Sequence, residues 1–355
     1  MISYDIQEWG KPLQQSVREQ PVPQGKEVLI RVKYCGICHS DVHIRDGYFD
    51  LGGGKKFHMS ERGMKLPVTM GHEPYGTVVA AGPDAKSAPI GQDVLVFPWT
   101  GCGRCARCLE GMDNWCPTPR FLGIQKPGGY GQYMLVPDAR YLIDAQGVDP
   151  AYAPILACSG LTTYSAARKL MPCAPQDWIV VMGAGGLGLM AVAMLKAMGH
   201  EHIAICDIDA RKWPAAQALG AKHTIDPSRE EAAAQLAALS GGVWGVLDLV
   251  GAESTAKLGL ASLRKGGRYV VVGLYGGEIP ISLVPMAQRA ITLQGSYVGS
   301  PQELREVVAL AQSGKLQRMP VGVCNADQIS ETLDQLKAGN VIGRMVARID
   351  PSLAG

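Results

Sequence analysis

The segment "VVMGAGGLG", residues 180–188, places glycines at fixed spacing between an apolar strand pattern and a helix pattern. Gly183, Gly185 and Gly188 form the arrangement G-x-G-x-x-G. In this arrangement the first glycine permits a tight turn, the second lets the backbone approach a pyrophosphate, and the third lets the helix pack on the strand. The segment therefore predicts a dinucleotide-binding strand–turn–helix unit. The predicted cofactor-binding residues of the turn are Gly183, Gly185, Gly186, Leu187 and Gly188.

An acidic residue follows the turn at the spacing that such a unit needs. The next strand pattern, "HIAICDID", reaches Asp207 nineteen residues after Gly188. An acid at this place hydrogen-bonds the ribose hydroxyls of the cofactor and repels a 2′-phosphate. NAD is therefore predicted over NADP, and Arg211 is close enough in sequence to soften that preference. The alternative is that the glycines form only a turn.

The pattern around this unit predicts two kinds of structure. Strand and helix patterns alternate from about residue 160, which favours a parallel sheet with helices on both faces. The first 150 residues instead show short alternating strand patterns punctuated by glycine and proline, which indicate an irregular β-rich region. Helix patterns at 301–313 and 327–338 precede a last strand pattern, "RMVARID". The predicted fold class is α/β with two domains.

The bulk composition excludes several classes of protein. Hydrophobic residues make up 47% and charged residues 19%, which is typical of a soluble globular protein. A net charge of +2 argues against a dedicated nucleic-acid binder. Residues 178–195 carry no charge and are long enough to suggest a membrane span, but the glycines in their middle favour a strand, a turn and a helix. The N-terminus lacks a secretory pattern, so a cytoplasmic location and no membrane partner are predicted.

The ten cysteines point to metal binding or catalysis, because cytosolic thiols stay reduced. "CGICHS", residues 35–40, has the spacing Cys-x-x-Cys-His. That spacing is compatible with a c-type haem, a thioredoxin-like redox pair or half of a metal site. The lack of an export pattern argues against haem. The six residues alone do not decide between the remaining alternatives.

A second cysteine group lies in one glycine-containing segment, about residues 98–117. Its spacing is C-x2-C-x2-C-x7-C, and four thiolates on one loop can surround a zinc ion without leaving an open position. Such a site is structural. An iron–sulfur cluster is the rival, since similar spacing also binds one, and a redox relay is a weaker rival. The four residues are Cys102, Cys105, Cys108 and Cys116.

A third group can be drawn from separate segments. Cys38 could be joined by His72 of "MGHEPYG" and by Cys158 of "APILACSG". Two cysteines and one histidine leave one tetrahedral position open for substrate or water, which is the catalytic type of zinc site. We expect such a site where the two domains meet, beside the nicotinamide.

With these motifs the sequence resembles the medium-chain zinc-dependent alcohol dehydrogenases over essentially its whole length. The matching motifs are "CGICHSDVH", "GHEPYGTVVAAG", the four-cysteine segment, "CSG" after "APILA", "GAGGLG" and "IGRMV". The resemblance implies a GroES-like catalytic domain over residues 1–159 and a Rossmann-type coenzyme domain over 160–299. Residues 300–355 would return to the catalytic domain.

The resemblance also implies the metal-site roles. Cys38, His72 and Cys158 would ligate the catalytic zinc ion. Glu73 would be the nearby carboxylate that can approach the metal during ligand exchange, and Asp41 would orient the histidine ligand.

Roles in proton transfer and cofactor binding follow in the same way. Ser40 would accept the alcohol proton and His43 would pass it to solvent. Lys212 would join Asp207 at the adenosine ribose, and Arg344 would lie near the pyrophosphate.

Structural roles without a part in catalysis are the alternatives for several of these residues. Cys158 could be an ordinary core cysteine, Ser40 could cap a helix that begins near Asp41, and His43 could be a surface histidine. Cys35 has no ligand role in the family pattern and is predicted to pack inside the domain. His39 has no predicted metal role, although a residue there can face the cofactor phosphates.

One segment departs from the family pattern. Residues 51–65, "LGGGKKFHMSERGMK", are longer than the usual connection between the first ligand and the histidine motif. They are expected near the mouth of the active site, either as a lid or as a surface decoration. This departure argues against assigning the substrate by analogy with the family.

The implied activity is the NAD-linked interconversion of alcohols with aldehydes or ketones, with two zinc ions per chain and a small-molecule substrate. A homodimer or homotetramer paired through "ITLQGSYV" is expected. A polyol dehydrogenase is one rival, although such relatives tend to replace the cysteine at 158. A non-catalytic zinc-stabilised nucleotide-binding protein and a zinc-ribbon nucleic-acid binder are others, but neither needs the Cys–His–Cys set.

Overall fold

The structure is a computed structural model that describes residues 1–239 and 242–353. The last two residues of the predicted return segment lie outside this part. The strands of the first half are β1 (Ile2–Ile6), β2 (Gln14–Val17), β3 (Val28–Ile37), β4 (Tyr48–Gly52), β5 (Lys55–His58), β6 (Val68–Thr69), β7 (Pro74–Ala81), β8 (Asp93–Val96), β9 (Tyr133–Val136) and β10 (Leu142–Asp144). Those of the second half are β11 (Ile179–Met182), β12 (Ile203–Cys206), β13 (His223–Ile225), β14 (Val243–Asp248), β15 (Leu263–Val271), β16 (Thr292–Gly295), β17 (Val321–Asn325) and β18 (Arg344–Arg348).

The α-helices are given in chain order. They are α1 (His39–Asp46), α2 (Ala106–Leu109), α3 (Ala153–Ile155), α4 (Leu161–Arg168), α5 (Gly186–Ala197), α6 (Trp213–Ala218), α7 (Ala232–Ala237), α8 (Glu253–Ser262), α9 (Leu283–Gln288), α10 (Pro301–Gln312) and α11 (Ile329–Lys337). Among the described residues, none of the helices is both long and apolar enough to cross a bilayer. The uncharged run 178–195 divides into β11, a glycine turn and most of α5.

The second half forms a six-stranded parallel sheet in the order β13-β12-β11-β14-β15-β16. This order corresponds to 3-2-1-4-5-6, the arrangement of a dinucleotide-binding sheet. Val180 and Met182 pack in one apolar cluster, while Ile179 and Val181 belong to the other. Because successive residues of a strand point to opposite faces, both faces of the central strand are covered. The uninterrupted apolar run of β11 follows from this double burial.

The first half is built on a mixed sheet whose central strand is β3. β3 pairs with β7 and β9 from the first half and with β18 from the chain end. This pairing extends β3 to Ile37, because Met345 of β18 lies opposite Ile37. The end of β3, the start of β7 and the start of β18 therefore meet at one edge, beside the first turn of α1.

The segment that departs from the family pattern begins within an antiparallel hairpin of β4 and β5. The turn of this hairpin, Gly52 to Gly54, has left-handed backbone at all three glycines. The hairpin tip packs on the loop after β15: a side chain on Gly52 would lie 2.8 Å from the carbonyl carbon of Gly277. Lys55 also pairs with Glu278 across 3.4 Å. The hairpin thus connects the two halves of the chain.

Candidate active site and metal centres

One cleft of about 350 Å³ lies between the mixed sheet and the parallel sheet. It brings together most of the site residues predicted from the sequence. Those that line it are Cys38, Ser40, His43, Cys158, Gly183, Gly185, Gly186, Leu187, Gly188, Asp207, Lys212 and Arg344. His72, Glu73 and Asp41 are fully buried behind this lining.

The predicted catalytic ligands form one cluster. Donor atoms of Cys38, His72, Glu73 and Cys158 all lie within 4.8 Å of one another. The sulfurs of Cys38 and Cys158 are 3.9 Å apart, close to the about 3.8 Å expected for two thiolates on a tetrahedral zinc ion. His72 Nε2 is buried and has no hydrogen-bond partner among the described residues. A buried polar atom without a partner is costly unless something binds it, so this set fits a zinc ion.

Asp41 fixes the orientation of His72. One carboxylate oxygen lies 3.0 Å from His72 Nδ1, and the other accepts hydrogen bonds from the Cys38 amide and the Tyr130 hydroxyl, each at 2.9 Å. Burial lowers the pKa of His72, but the negative charges of Asp41 and Cys38 outweigh it and hold that pKa well above its usual value. The same charges favour a metal cation at Nε2.

The backbone places Cys38 at the start of α1. Cys38 is the N-cap residue, and its amide donates a hydrogen bond to the Asp41 carboxylate. The alternative in which Ser40 caps the helix is wrong, because the helix begins at His39. The hydrogen bond between the sulfurs of Cys158 and Cys38 lowers the pKa of Cys38 well below its ordinary value, which favours the thiolate that a metal needs.

Cys158 lies in an irregular part of its helix. The α-helical turn α3 continues through a π-helical stretch, Leu156–Gly160, before α4 begins. Such stretches often occur at functional sites. Trp99 donates to the Ala157 carbonyl across 3.0 Å, and its ring lies 5.3 Å from that of His72. The interpretation of Cys158 as an ordinary core cysteine does not explain its place in the cluster.

Cys35 lies outside the cluster. It is fully buried on β3, and side chains on Gly71 and Gly129 would come within 2.9 Å and 2.8 Å of its sulfur. Burial raises the pKa of the Cys35 thiol well above its ordinary value, so the sulfur stays protonated. This environment is that of a packed thiol and not of a ligand.

Ser40 and His43 face the cleft from one side of α1. They are three residues apart, so they lie on the same helical face, and both are half-buried. The His43 ring lies 5.0 Å from that of Phe49 and 5.4 Å from that of His39. Burial and the neighbouring His39 lower the pKa of His43, so its imidazole is neutral near pH 7 and can accept a proton. His39 is exposed, at the rim.

Arg344 connects the cluster to the glycine turn. Its guanidinium donates to Glu73, and both side chains are buried. Burial raises the pKa of Glu73 to about 7, against the opposing effect of Arg344. The aliphatic part of Arg344 lies where a side chain on Gly186 would project. Arg344 therefore touches both the predicted phosphate-binding turn and the metal cluster.

The glycine turn has the features of a nucleotide cradle. Gly183 has a φ of 94°, which favours glycine, and a side chain on Gly188 would overlap the Gly183 carbonyl. Gly185 faces open space, with no atom within 4 Å of where its side chain would be. The turn thus leaves its backbone and the start of α5 accessible to a pyrophosphate.

Asp207 lies at the end of this cradle. It accepts a hydrogen bond from the Ala184 amide at 2.6 Å, and Lys212 approaches its carboxylate to 3.6 Å. Arg211 is engaged elsewhere, since two of its nitrogens donate to Asp209 at 2.9 Å each. The predicted softening of cofactor preference by Arg211 must therefore compete with this ion pair.

The four-cysteine segment forms a second cluster. Donor sulfurs of all four cysteines lie within 4.8 Å of one another, and Cys105 is 3.5 Å from Cys108 and 3.8 Å from Cys116. These spacings also fit a tetrahedral zinc ion, with no position left for a substrate. Asp113 anchors the segment, because it accepts hydrogen bonds from Tyr141 and Arg140 at 2.7 Å each.

Comparisons with known proteins agree with this geometry. The alcohol dehydrogenase GroES-like domain model matches residues 24–146, and the zinc-binding dehydrogenase model matches residues 186–313. An NAD-dependent alcohol dehydrogenase of Saccharolobus solfataricus is 36% identical over 98% of this chain and 99% of its own length. The chain belongs to the medium-chain zinc-dependent alcohol dehydrogenase family.

Other members of the family show the same full-length likeness. An alcohol dehydrogenase of Geobacillus stearothermophilus is 32% identical over 97% of this chain and 98% of its own. The crystal structure of an alcohol dehydrogenase from Aeropyrum pernix has a TM-score of 0.88 at 30% identity, covering 98% of this chain and all of that one. Acetophenone reductase from Geotrichum candidum, solved with NAD, has a TM-score of 0.84 at 29% identity, covering 99% and 98%.

These findings confirm the predicted family, the α/β fold class with Rossmann-type and GroES-like parts, and the zinc- and NAD-linked oxidoreductase class. Sequence reasoning missed other residues of the site. Tyr130 is a partner of Asp41, Trp99 packs on His72, and Asp209 holds Arg211. Tyr130 and Trp99 are distant in sequence from Asp41 and His72, so no local spacing could reveal them. Asp209 lies two residues before Arg211, and this short spacing between an acid and a base was the available signal.

Proposed function

We propose that this chain interconverts alcohols with aldehydes or ketones, using zinc and NAD. The observation that carries the proposal is the single cleft in which an open Cys–His–Cys donor set, the Ser40–His43 pair and the glycine turn meet. The place of Cys158 in the cluster argues against a polyol dehydrogenase. A non-catalytic nucleotide-binding protein would have no need of the donor set and the proton-accepting pair together.

The residues of the cleft divide the work between them. When bound, zinc would polarise the substrate oxygen and the nicotinamide would accept or return a hydride. Ser40 Oγ would take the proton of the substrate hydroxyl, and the neutral His43 imidazole would pass it toward solvent. Asp41 holds the His72 ring in place, and Arg344 neutralises Glu73 beside the ligands. Apolar side chains around the cleft exclude water from the reacting atoms.

An assay of NADH formation with a panel of primary alcohols, secondary alcohols and polyols tests the proposal. Oxidation of one or more simple alcohols supports it. Activity confined to polyols would favour the alternative, and inactivity of the zinc-loaded protein with every alcohol and carbonyl compound would count against catalysis of this kind.

Metal content is the first specific prediction. We expect two zinc ions per chain, one at Cys38, His72 and Cys158 and one in the four-cysteine segment. A chelator should remove the first with loss of NADH formation and little unfolding, since that site is open, whereas loss of the second should destabilise its segment. Elemental analysis of the purified protein measures the zinc content, and circular dichroism after chelation measures unfolding. Iron with sulfide, or no metal, would contradict the prediction.

Cofactor choice gives the second prediction. Replacing Asp207 by glycine should weaken NAD use and improve NADP use, because it removes the ribose acceptor and the repulsion of a phosphate. We expect the ratio of kcat/KM with NAD to kcat/KM with NADP to fall by about tenfold, equal to ~1.4 kcal/mol.

Adding Asp209→Asn should improve NADP use further, since Arg211 would lose its ion pair and could meet the phosphate. The single variant Asp209→Asn is the control. A wild-type protein that already prefers NADP would show that Asp207 has been assigned wrongly.

The larger organisation belongs to the same proposal. We assign residues 1–159 and 300–355 to the catalytic domain and 160–299 to the coenzyme domain. We also propose a cytoplasmic homodimer or homotetramer. In support of pairing, β16 is an edge strand of the parallel sheet, and Leu283 and Val284 of α9 are 76% and 64% exposed.

A further inference from the structure

Arg62 is one of the cations that line the cleft. It lines the cleft and is half-buried, and one guanidinium nitrogen donates to the Tyr297 hydroxyl at 3.2 Å. Among the residues that the structure describes, no carboxylate forms a salt bridge with it. The other two strong cations of the cleft differ, because Lys212 pairs with Asp207 and Arg344 with Glu73. Arg62 therefore retains donors for another anion.

Ring contacts place Arg62 at the substrate end of the cleft. On one side its guanidinium carbon lies 5.8 Å from the Phe49 ring, which packs 5.0 Å from His43. On the other side Tyr297 lies 6.2 Å from Trp99, the ring that packs on His72. Arg62 is thus separated from His43 by one ring, that of Phe49, and from His72 by two rings, those of Tyr297 and Trp99. The glycine turn around Gly185 takes part in none of these ring contacts.

The backbone of Arg62 is held by two hydrogen bonds. Its backbone amide donates to Met59 at 3.1 Å, and its carbonyl accepts from Gln125 at 3.3 Å. The preceding hairpin packs its glycine turn on Gly277. The backbone that carries Arg62 is therefore anchored, and the Tyr297 hydroxyl contacts its guanidinium.

The neighbouring lining is mostly apolar. Phe49, Trp99, Ile124 and Leu274 line the same cleft. The planar fork of a guanidinium matches the two oxygens of a carboxylate, and the hydrogen bonds between the two groups are charge-assisted. A neutral alcohol offers these donors no charged acceptor.

We propose that Arg62 selects the substrate by binding a carboxylate on it. The substrate class is then a hydroxy acid, or the matching oxo acid, whose carboxylate lies several carbons from the reacting carbon. This inference depends on the proposed alcohol dehydrogenase function and deepens it.

Matched substrates test the inference. The ω-hydroxy acids from 4-hydroxybutanoate to 7-hydroxyheptanoate are compared with their amides, which have the same shape and no charge. The proteins are the zinc-loaded wild type, Arg62→Gln, Arg62→Lys and the control Lys65→Gln. Lys65 is an exposed cation of the same segment that does not line the cleft.

We expect the wild type to prefer at least one acid over its amide by roughly tenfold or more in kcat/KM, the size of a charge-assisted hydrogen bond. Arg62→Gln should remove that preference by raising KM for the acid, while kcat/KM for the amide changes by less than about threefold. Arg62→Lys should retain part of the preference for the acid, and Lys65→Gln should retain all of that preference.

A binding measurement gives a second readout. With saturating NADH, hexanoate should raise the melting temperature of the wild type more than hexanamide does, and this difference should vanish in Arg62→Gln.

Equal losses on acids and amides in Arg62→Gln would show a structural role and overturn the inference, as would an increase confined to KM for NAD. A wild type that oxidises alcohols without preferring any acid would overturn it and leave the proposed function standing. Inactivity with every alcohol would count against the proposed function, and the melting temperatures would then decide the inference.

Discussion

Replacing Cys38 by serine is expected to abolish alcohol oxidation and to lower the zinc content from two ions per chain to one. The sulfur of Cys38 is 3.9 Å from that of Cys158 and belongs to the donor cluster, so its loss leaves two of the three proposed ligands. Polarisation of the substrate oxygen by a metal contributes several kcal/mol, so activity should fall by about three orders of magnitude or more. Elemental analysis and the NADH assay measure the two effects.

Cys35→Ser is the matched control, three residues earlier in the same motif. Cys35 packs against Gly71 and Gly129, away from the cluster, and its sulfur faces the Gly36 carbonyl at 3.7 Å. A serine hydroxyl can donate to the same carbonyl, so this variant should fold, keep both zinc ions and retain most of its activity. Equal loss from both substitutions would mean that the two cysteines act as a pair, as in a redox or four-ligand site.

The features that could be predicted from the sequence are those carried by local spacing. The glycine turn, the strand before it and the acid after it all fall within residues 179–207, and their physical roles depend on that spacing. The four cysteines of the second cluster lie within one short segment. Such patterns can be recognised without knowledge of the rest of the chain, because their residues mostly contact one another.

The features that could not be predicted depend on long-range contacts. β3 reaches Ile37 only because β18, from the chain end, pairs with it. Tyr130 lies 89 positions from Asp41 and has no motif around it. From the sequence alone, the segment that departs from the family pattern could have been a decoration of the surface. Its contact with Gly277 and the position of Arg62 in the cleft follow from how the two halves meet.

Ser40→Ala is expected to lower kcat for alcohol oxidation by about 10²–10⁴-fold, the range of general acid–base contributions. The hydroxyl lies in the cleft one turn before His43, and its loss leaves the substrate proton without a local acceptor. The fold should be little affected, because Cys38 and Asp41 cap the helix without Ser40. Both zinc ions should remain, which separates this loss from that of Cys38→Ser. An unchanged rate would remove Ser40 from the mechanism.

His43→Gln should cost less than Ser40→Ala, because His43 only passes the proton onward and water can take its place. Phe49 and His39 pack on the His43 ring, so some water is excluded, and a loss of roughly tenfold is reasonable for a relay that solvent can replace. The loss should shrink as pH rises, since hydroxide then accepts the proton directly. Pre-steady-state rates of NADH formation between pH 6 and 9 measure this for both variants. If His43→Gln were the more damaging change at every pH, the imidazole would be the primary acceptor, and the order Ser40 then His43 would have to be reversed.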